Sequence, residues 1–281
     1  MKYWLNVARK TLCHGFFLLC VLLACEVSAE NHSPLATFEE ENEANRAKAE
    51  KVMNATTAMD LAELGLVDEA RAEKIDALDP EQRSQYIEMM VQEADVRIAT
   101  AERVDGDRAV VLRESPIAGA NAEIVLMEKQ DDGWVQVNHS EPFHRTVMGA
   151  RGAFEVSGAV TMSIDGALVE KGLWTEGEFT MMDRMGKVLT GEQPPTLTIT
   201  LPTCPETKEF ALSEPKPSFS AAFTEGPTFD AQSGSITVTA VEGERASGKF
   251  TLEMIGSFDE GQSVSIQGSF TDAPIACDGN W

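Results

Sequence analysis

Two histidines and a glutamate between residues 139 and 144 come nearest to the pattern of a metal site. His139 and His144 bracket Glu141 in the sequence HSEPFH. Imidazole nitrogens and carboxylate oxygens are ligands for Zn²⁺ and related metals. The spacing matches no recognised ligand motif, however, and Pro142 is typical of a turn between domains. We therefore predict a polar linker here, with no metal and no cofactor.

Signatures of a catalytic site are absent from the remaining sequence. It contains no nucleotide-binding loop, no dinucleotide-binding loop, no G-x-S-x-G serine elbow and no H-E-x-x-H zinc motif. Acidic side chains are so numerous that no pair can be singled out as catalytic without geometry. The sequence therefore predicts a protein that is not an enzyme and that binds an envelope protein or a small ligand. Two alternatives stay open: an enzyme or carrier that uses a pocket in the N-terminal domain, and a structural component of the cell surface.

Five cysteines divide into a group of three near the N-terminus and two that lie far downstream, Cys204 and Cys277. An even number of cysteines in the body of an exported chain predicts a disulfide between Cys204 and Cys277. The alternative, two unrelated thiols, stays open. No C-x-x-C pair occurs, so neither a thioredoxin-like motif nor a zinc knuckle is indicated.

The first 29 residues have the pattern of a signal peptide, with a basic start followed by a short apolar run. Two cleavage sites compete. Val27–Ala29 would leave Glu30 as the new N-terminus. The sequence LLAC, Leu22–Cys25, resembles a bacterial lipobox, and that resemblance implies a lipid on Cys25. Either site places the protein outside the cytoplasm, in the periplasm or at the outer membrane or surface of a bacterium.

The composition limits the possible partners. The chain has 46 acidic and 23 basic side chains, a net charge of −23. Such a surface repels phosphate backbones and anionic lipid headgroups, so we expect no nucleic-acid partner and membrane contact only through a lipid anchor. The 43% of hydrophobic residues is enough to form a packed core.

Between residues 34 and 104 the composition favours helices. Asp79 and Pro80 are typical of a helix cap and a first helical residue. The helix that follows carries an apolar stripe that we expect to face the core. The stripe consists of Tyr86, Ile87, Met90, Val91, Ala94 and Ile98.

A hairpin is predicted next, because a turn at Gln130–Gly133 separates two apolar runs. With the preceding helices, the sequences GDRAVV and IVLMEKQDDGWVQV resemble the nuclear-transport-factor-2-like (cystatin-like) superfamily. That resemblance implies a cone-like α+β domain, assigned to residues 30–140, with a pocket between the sheet and a long helix. Trp134 is the candidate pocket residue, and its ordinary alternative is a core anchor.

Beyond residue 141 short alternating strands recur between turns, which predicts an antiparallel β-sandwich over residues 141–281. The stretch from Gly234 to Ile275 also resembles an uncharacterised β-sandwich domain of bacterial lipoproteins. In this stretch we expect apolar side chains on one face and Ser, Thr and Gln facing water. The predicted fold class is therefore α+β: a helical and sheet domain, then an all-β sandwich.

Overall fold

The computed structural model describes residues 33–275, except residues 118, 132, 146, 173–176, 202–204, 213–219 and 260. The signal peptide, Cys25, Cys204 and Cys277 lie outside the described residues. Cleavage, lipidation and the disulfide therefore stay predictions.

Four helices precede the first strand, after a short 3-10 helix at Leu35–Phe38. They are α1 (Glu39–Met53), α2 (Ala58–Glu63), α3 (Glu69–Asp76) and α4 (Pro80–Gln92). The predicted start of α4 is confirmed, since the Asp79 carboxylate accepts hydrogen bonds from two backbone N–H groups of the first turn. Among the described residues, no helix is both long enough and apolar enough to cross a bilayer.

The helices form a small core of their own, and the predicted stripe on α4 faces it only in part. Met90 is buried and Ile87 and Val91 are half-buried, but Tyr86 is 44% exposed. The helix ends at Gln92, so Ala94 and Ile98, which were predicted to belong to the stripe, lie beyond it, and Ile98 begins the first strand. Tyr86 lies in an open groove between α3 and α4, beside the exposed Met89. The prediction was therefore wrong for Tyr86, because the helical core covers only part of the apolar face of α4 and leaves Tyr86 outside it.

Five strands follow and form the first sheet. They are β1 (Ile98–Asp105), β2 (Arg108–Glu114), β3 (Asn121–Gln130), β4 (Gly133–His139) and β5 (Phe143–His144). The order is β1-β2-β3-β4, with β5 paired to the far end of β3, and all pairs are antiparallel. The predicted hairpin is the pair β3–β4.

Both faces of this sheet are packed. Phe38 from the 3-10 helix lies on one face with Val111, Met127 and Trp134. The other face packs against the C-terminal unit through a separate cluster. That cluster contains Val110, Leu112, Ile124, Leu168, Met185 and Leu189.

The C-terminal unit is a closed antiparallel β-barrel of eight strands. Its strands and one short side strand, β10, are β6 (Arg151–Gly158), β7 (Met162–Lys171), β8 (Glu178–Met182), β9 (Thr196–Thr200), β10 (Glu209–Leu212), β11 (Ser220–Thr224), β12 (Thr228–Glu242), β13 (Arg245–Gly256) and β14 (Ser263–Pro274). Helix α5 (Arg184–Thr190) joins β8 to β9. The order around the barrel is β12-β11-β9-β8-β7-β6-β14-β13, and β13 returns to β12.

The predicted fold class was wrong. The chain is mostly β, with 49% strand and 24% helix, and it forms a separate antiparallel sheet and a closed barrel rather than a cone and a sandwich. Closure depends on β12, which pairs with β11 along one edge and with β13 along the other. Two bulges in β12 let it bend around a corner of the barrel. Sandwiches and barrels share the same alternation of apolar residues, so sequence pattern could not distinguish them. The division at residue 141 stays a prediction.

The barrel interior is filled by side chains. Seven phenylalanines are buried in one continuous core with the aliphatic residues around them: Phe154, Phe179, Phe210, Phe223, Phe229, Phe250 and Phe270. The rings of Phe179 and Phe270 lie 4.8 Å apart, and those of Phe154 and Phe223 meet edge to face at 6.3 Å. The described interior of the barrel is therefore packed with side chains.

Gly268 stands at an inward position of β14 where no side chain fits. A Cβ built there would lie 2.3 Å from the carbonyl oxygen of Ala153 and 2.6 Å from Cζ of Phe250. Because a backbone oxygen cannot swing aside, we expect Gly268→Ala to lower the free energy of unfolding by about 1–3 kcal/mol. Urea unfolding measures the loss. Ser269→Ala, one residue on and pointing outward, is the matched control, and an equal loss there would contradict the explanation.

Candidate functional site

A polar trough of about 900 Å³ crosses the outer face of the barrel. Strand pairing aligns the outward residues of neighbouring strands in two rows. The first row runs over β12, β13, β14, β6 and β7 through Ser235, Thr251, Gln267, Glu155 and Ser163. The second runs over β10, β12, β13, β14 and β6 through Glu209, Thr237, Lys249, Ser269 and Ala153. Asp165 on β7 also lines the trough, and the name polar trough refers to these eleven residues. Four inward positions between the rows contribute to the lining as well: Phe154, Ile164, Phe250 and Gly268.

Period-two alternation explains why this surface is polar. The inward neighbours of the trough residues, such as Ile236, Phe250 and Ile266, are buried in the barrel core. The positions between them point outward and are mostly small and hydroxylated. The expectation that Ser, Thr and Gln face water and that the apolar rows are buried is confirmed for these strands.

The trough offers hydrogen bonds rather than apolar contact. Its five hydroxyl groups each donate and accept, and the Gln267 side chain adds an amide. Gln267 Nε2 donates to Glu155 Oε2 at 2.9 Å, which fixes the amide near the middle of the surface. Ligand sites for drug-like molecules are mainly apolar. This lining instead suits a ligand that carries many hydroxyl or amide groups.

The charges of the trough are few and mixed. Glu155, Asp165 and Glu209 are opposed by Lys249. No histidine or cysteine belongs to the described lining, so it shows no nucleophile beside a base of the usual kind. The arrangement can bind and orient a polar molecule.

The histidines singled out in the sequence lie at the end of β4 and in β5. His139 and Glu141 are exposed, and the backbone of His144 belongs to β5. Among the described residues, no three His, Cys, Asp or Glu side chains come together as metal ligands. Trp134 is 8% exposed and packs in the cluster around Phe38, away from the polar trough.

A buried ion cluster, which the sequence analysis missed, joins the two units. The Arg145 guanidinium donates from Nε and Nη2 to Glu114 Oε1, at 3.1 and 2.8 Å. Arg151 Nη2 donates to Glu114 Oε2 at 2.7 Å. Arg145 also donates to the carbonyl oxygens of Ala150 and Val169, both at 2.8 Å. The first sheet, the linker and the barrel therefore meet at one carboxylate.

The cluster keeps Glu114 ionised. Burial by itself would raise the pKa of Glu114, but the hydrogen bond from Arg151 and the charges of Arg145 and Arg151 outweigh it and lower that pKa to about 2. Burial also lowers the pKa of Arg145. Since Glu114 is fully buried and both its oxygens accept hydrogen bonds, it is a poor proton donor or acceptor at neutral pH. The cluster serves to hold the units together.

A comparison with protein-family models, curated proteins and solved structures found no match to this chain. Nothing in it identifies a nuclear-transport-factor-2-like or lipoprotein-type domain, so functional reasoning depends on the geometry described above.

Proposed function

We propose that the protein is a non-catalytic binding module of the bacterial cell envelope and that its polar trough binds a neutral, polyhydroxylated ligand such as an oligosaccharide. The lining of five hydroxyl groups and one amide on four of the six strands of the trough is the observation that carries this proposal. Such groups both donate and accept hydrogen bonds, as the hydroxyl groups of a sugar do. The chain is exported, with Cys25 lipidated or Glu30 as its new N-terminus, and Cys204 is bonded to Cys277.

The packed barrel supports an external site. Because the core is filled by seven buried phenylalanines, a ligand is better accommodated on the outer face of the barrel than in the lumen. The outer face is supported by the rigid pairing of β12, β13, β14 and β6, so its hydroxyl groups are held in place before a ligand arrives. Preorganised groups lose little conformational freedom on binding.

Calorimetric titration of the full exported chain tests this proposal. The probes are three neutral oligosaccharides, hexamers of glucose linked α(1→4) or β(1→4) and of N-acetylglucosamine. We expect at least one to bind. The double change Thr251→Val with Gln267→Leu should lower the affinity for that oligosaccharide about tenfold, because each lost hydrogen bond is worth about 0.5–1.5 kcal/mol.

A matched control distinguishes a loss of binding at the polar trough from an effect elsewhere on the outer face of the barrel. Thr198 lies on β9, outside the trough, and points outward to Thr180 on β8. Thr198→Val should leave the affinity unchanged. Failure of all three sugars to bind, or binding that survives the double change, would contradict the proposal.

A further inference from the structure

The two edges of the first sheet differ in how they are covered. On the β1 edge, Asn42 from α1 both donates to the carbonyl oxygen of Ala99, at 3.1 Å, and accepts from its N–H, at 2.7 Å. Asn45 donates to the carbonyl oxygen of Arg97 at 2.7 Å. These amide side chains stand in for a neighbouring strand, and they close the edge to other chains.

The opposite edge, β4, is covered less in the described part of the chain, where Asn138 Oδ1 accepts a hydrogen bond from the His139 N–H at the end of the strand, at 2.8 Å. No described strand pairs with its outer side. All residues from 135 to 139 are exposed, including Val135 at 43% and Val137 at 44%. The pairing of β4 with β3 shifts register beside Val137, so the strand is bulged there. An edge strand that presents consecutive exposed residues and two β-branched apolar side chains is nevertheless a template for a further strand.

The charges around β4 indicate which kind of strand it fits. The sequence of β4, GWVQVNH, contains no acidic, lysine or arginine residue. The exposed Asp131 and Glu141 lie just beyond its two ends, in a molecule of net charge −23. A cationic partner is attracted by this field, and an anionic one is repelled.

We infer that β4 is a docking strand for an extended segment of a partner protein that has alternating aliphatic side chains and a basic residue at each end. Main-chain hydrogen bonds to β4 supply the affinity, and Val135 and Val137 contact the aliphatic side chains of the partner. A second copy of this chain fits less well. Two-fold pairing about Gln136 would place Asp131 opposite Glu141 of the copy, and both copies carry the same strong negative charge.

Fluorescence anisotropy with two labelled peptides tests this inference on the full chain. The probes are Lys-Val-Thr-Val-Thr-Val-Lys and the same peptide with Glu at both ends. We expect the lysine-ended peptide to bind at least tenfold more tightly at low salt, with the difference shrinking as salt screens the charges. Equal affinities would overturn the inference.

Two matched variants locate the binding. Val137→Lys should lower the affinity for the lysine-ended peptide at least tenfold. Val104→Lys, at a 49% exposed valine on β1, should change that affinity less than twofold. Equal effects of the two changes would overturn the assignment to β4. Sedimentation that shows a dimer of the unmodified chain, lost in Val137→Lys, would assign the edge to a second copy and would also overturn it. Neither variant alters the polar trough, so the two proposals fail separately.

Discussion

Glu114→Gln should lower the free energy of unfolding by about 3–5 kcal/mol, because it leaves the buried Arg145 charge without its carboxylate. Urea unfolding at neutral pH measures the loss. The same change at Glu206, whose pair with Lys208 is exposed, is the matched control and should cost less than about 1 kcal/mol. Comparable losses at the two sites would show that burial of the pair is not what matters.

A second variant tests the cause. If the orphaned charge destabilises Glu114→Gln, then adding Arg145→Met should recover part of the loss, and the two changes will not be additive. Strict additivity would contradict this explanation. Arg145→Met also removes hydrogen bonds to two carbonyl groups, so the recovery is incomplete.

The pH dependence follows from the same carboxylate. The pKa of Glu114 is about 2 in the folded chain, against an ordinary value of 4.5, so the unfolded chain binds the proton first as pH falls. This contribution to stability is complete above pH 4.5 and is lost as pH falls from 4.5 to about 2. It amounts to about 3 kcal/mol. Glu114→Gln should lack it, so its stability curve should approach that of the unmodified chain in acid.

Phe270→Ala should be comparably destabilising, by about 3–5 kcal/mol, because it empties a site inside the barrel. The Phe270 ring is 2% exposed and lies against Phe179 at 4.8 Å and Phe250 at 6.5 Å. Removal of the ring deletes both contacts, and the paired strands around it cannot close in to fill the space.

The matched control is Phe258→Ala, the same change at a phenylalanine that is 97% exposed in the turn between β13 and β14. We expect it to alter stability by less than about 0.5 kcal/mol. Urea unfolding compares the two variants. A small loss at Phe270, or a loss at Phe258 as large as that at Phe270, would contradict the packed-barrel explanation.

Local pattern predicted the parts of this fold that depend on near neighbours. The cap at Asp79, the β3–β4 hairpin and the inward rows that contain Ile236, Phe250 and Ile266 agree with the structure. Each follows from a period or a turn that is complete within a dozen residues.

Features that depend on distant pairs could not be predicted in this way. Closure of the barrel requires both edges of β12 to be paired, which alternation does not specify. Glu114 and Arg145 are 31 positions apart and have no local signal that distinguishes them from the many other charged residues. The polar trough was predicted only as a water-facing surface, because its concavity comes from the way six strands curve together.

Closure of the barrel makes folding slow. The pairing of β6 with β14 brings together Glu155 and Gln267, which are 112 positions apart in the chain. The long intervening chain must lose conformational entropy before these contacts can stabilise the fold. Proteins rich in such long-range contacts fold in milliseconds to seconds rather than microseconds. Until β14 arrives, β6 has a bare edge and the phenylalanines behind it are accessible to other chains. The unfinished barrel is therefore the state most prone to aggregation, and a chaperone that shields it would raise the yield of folded protein.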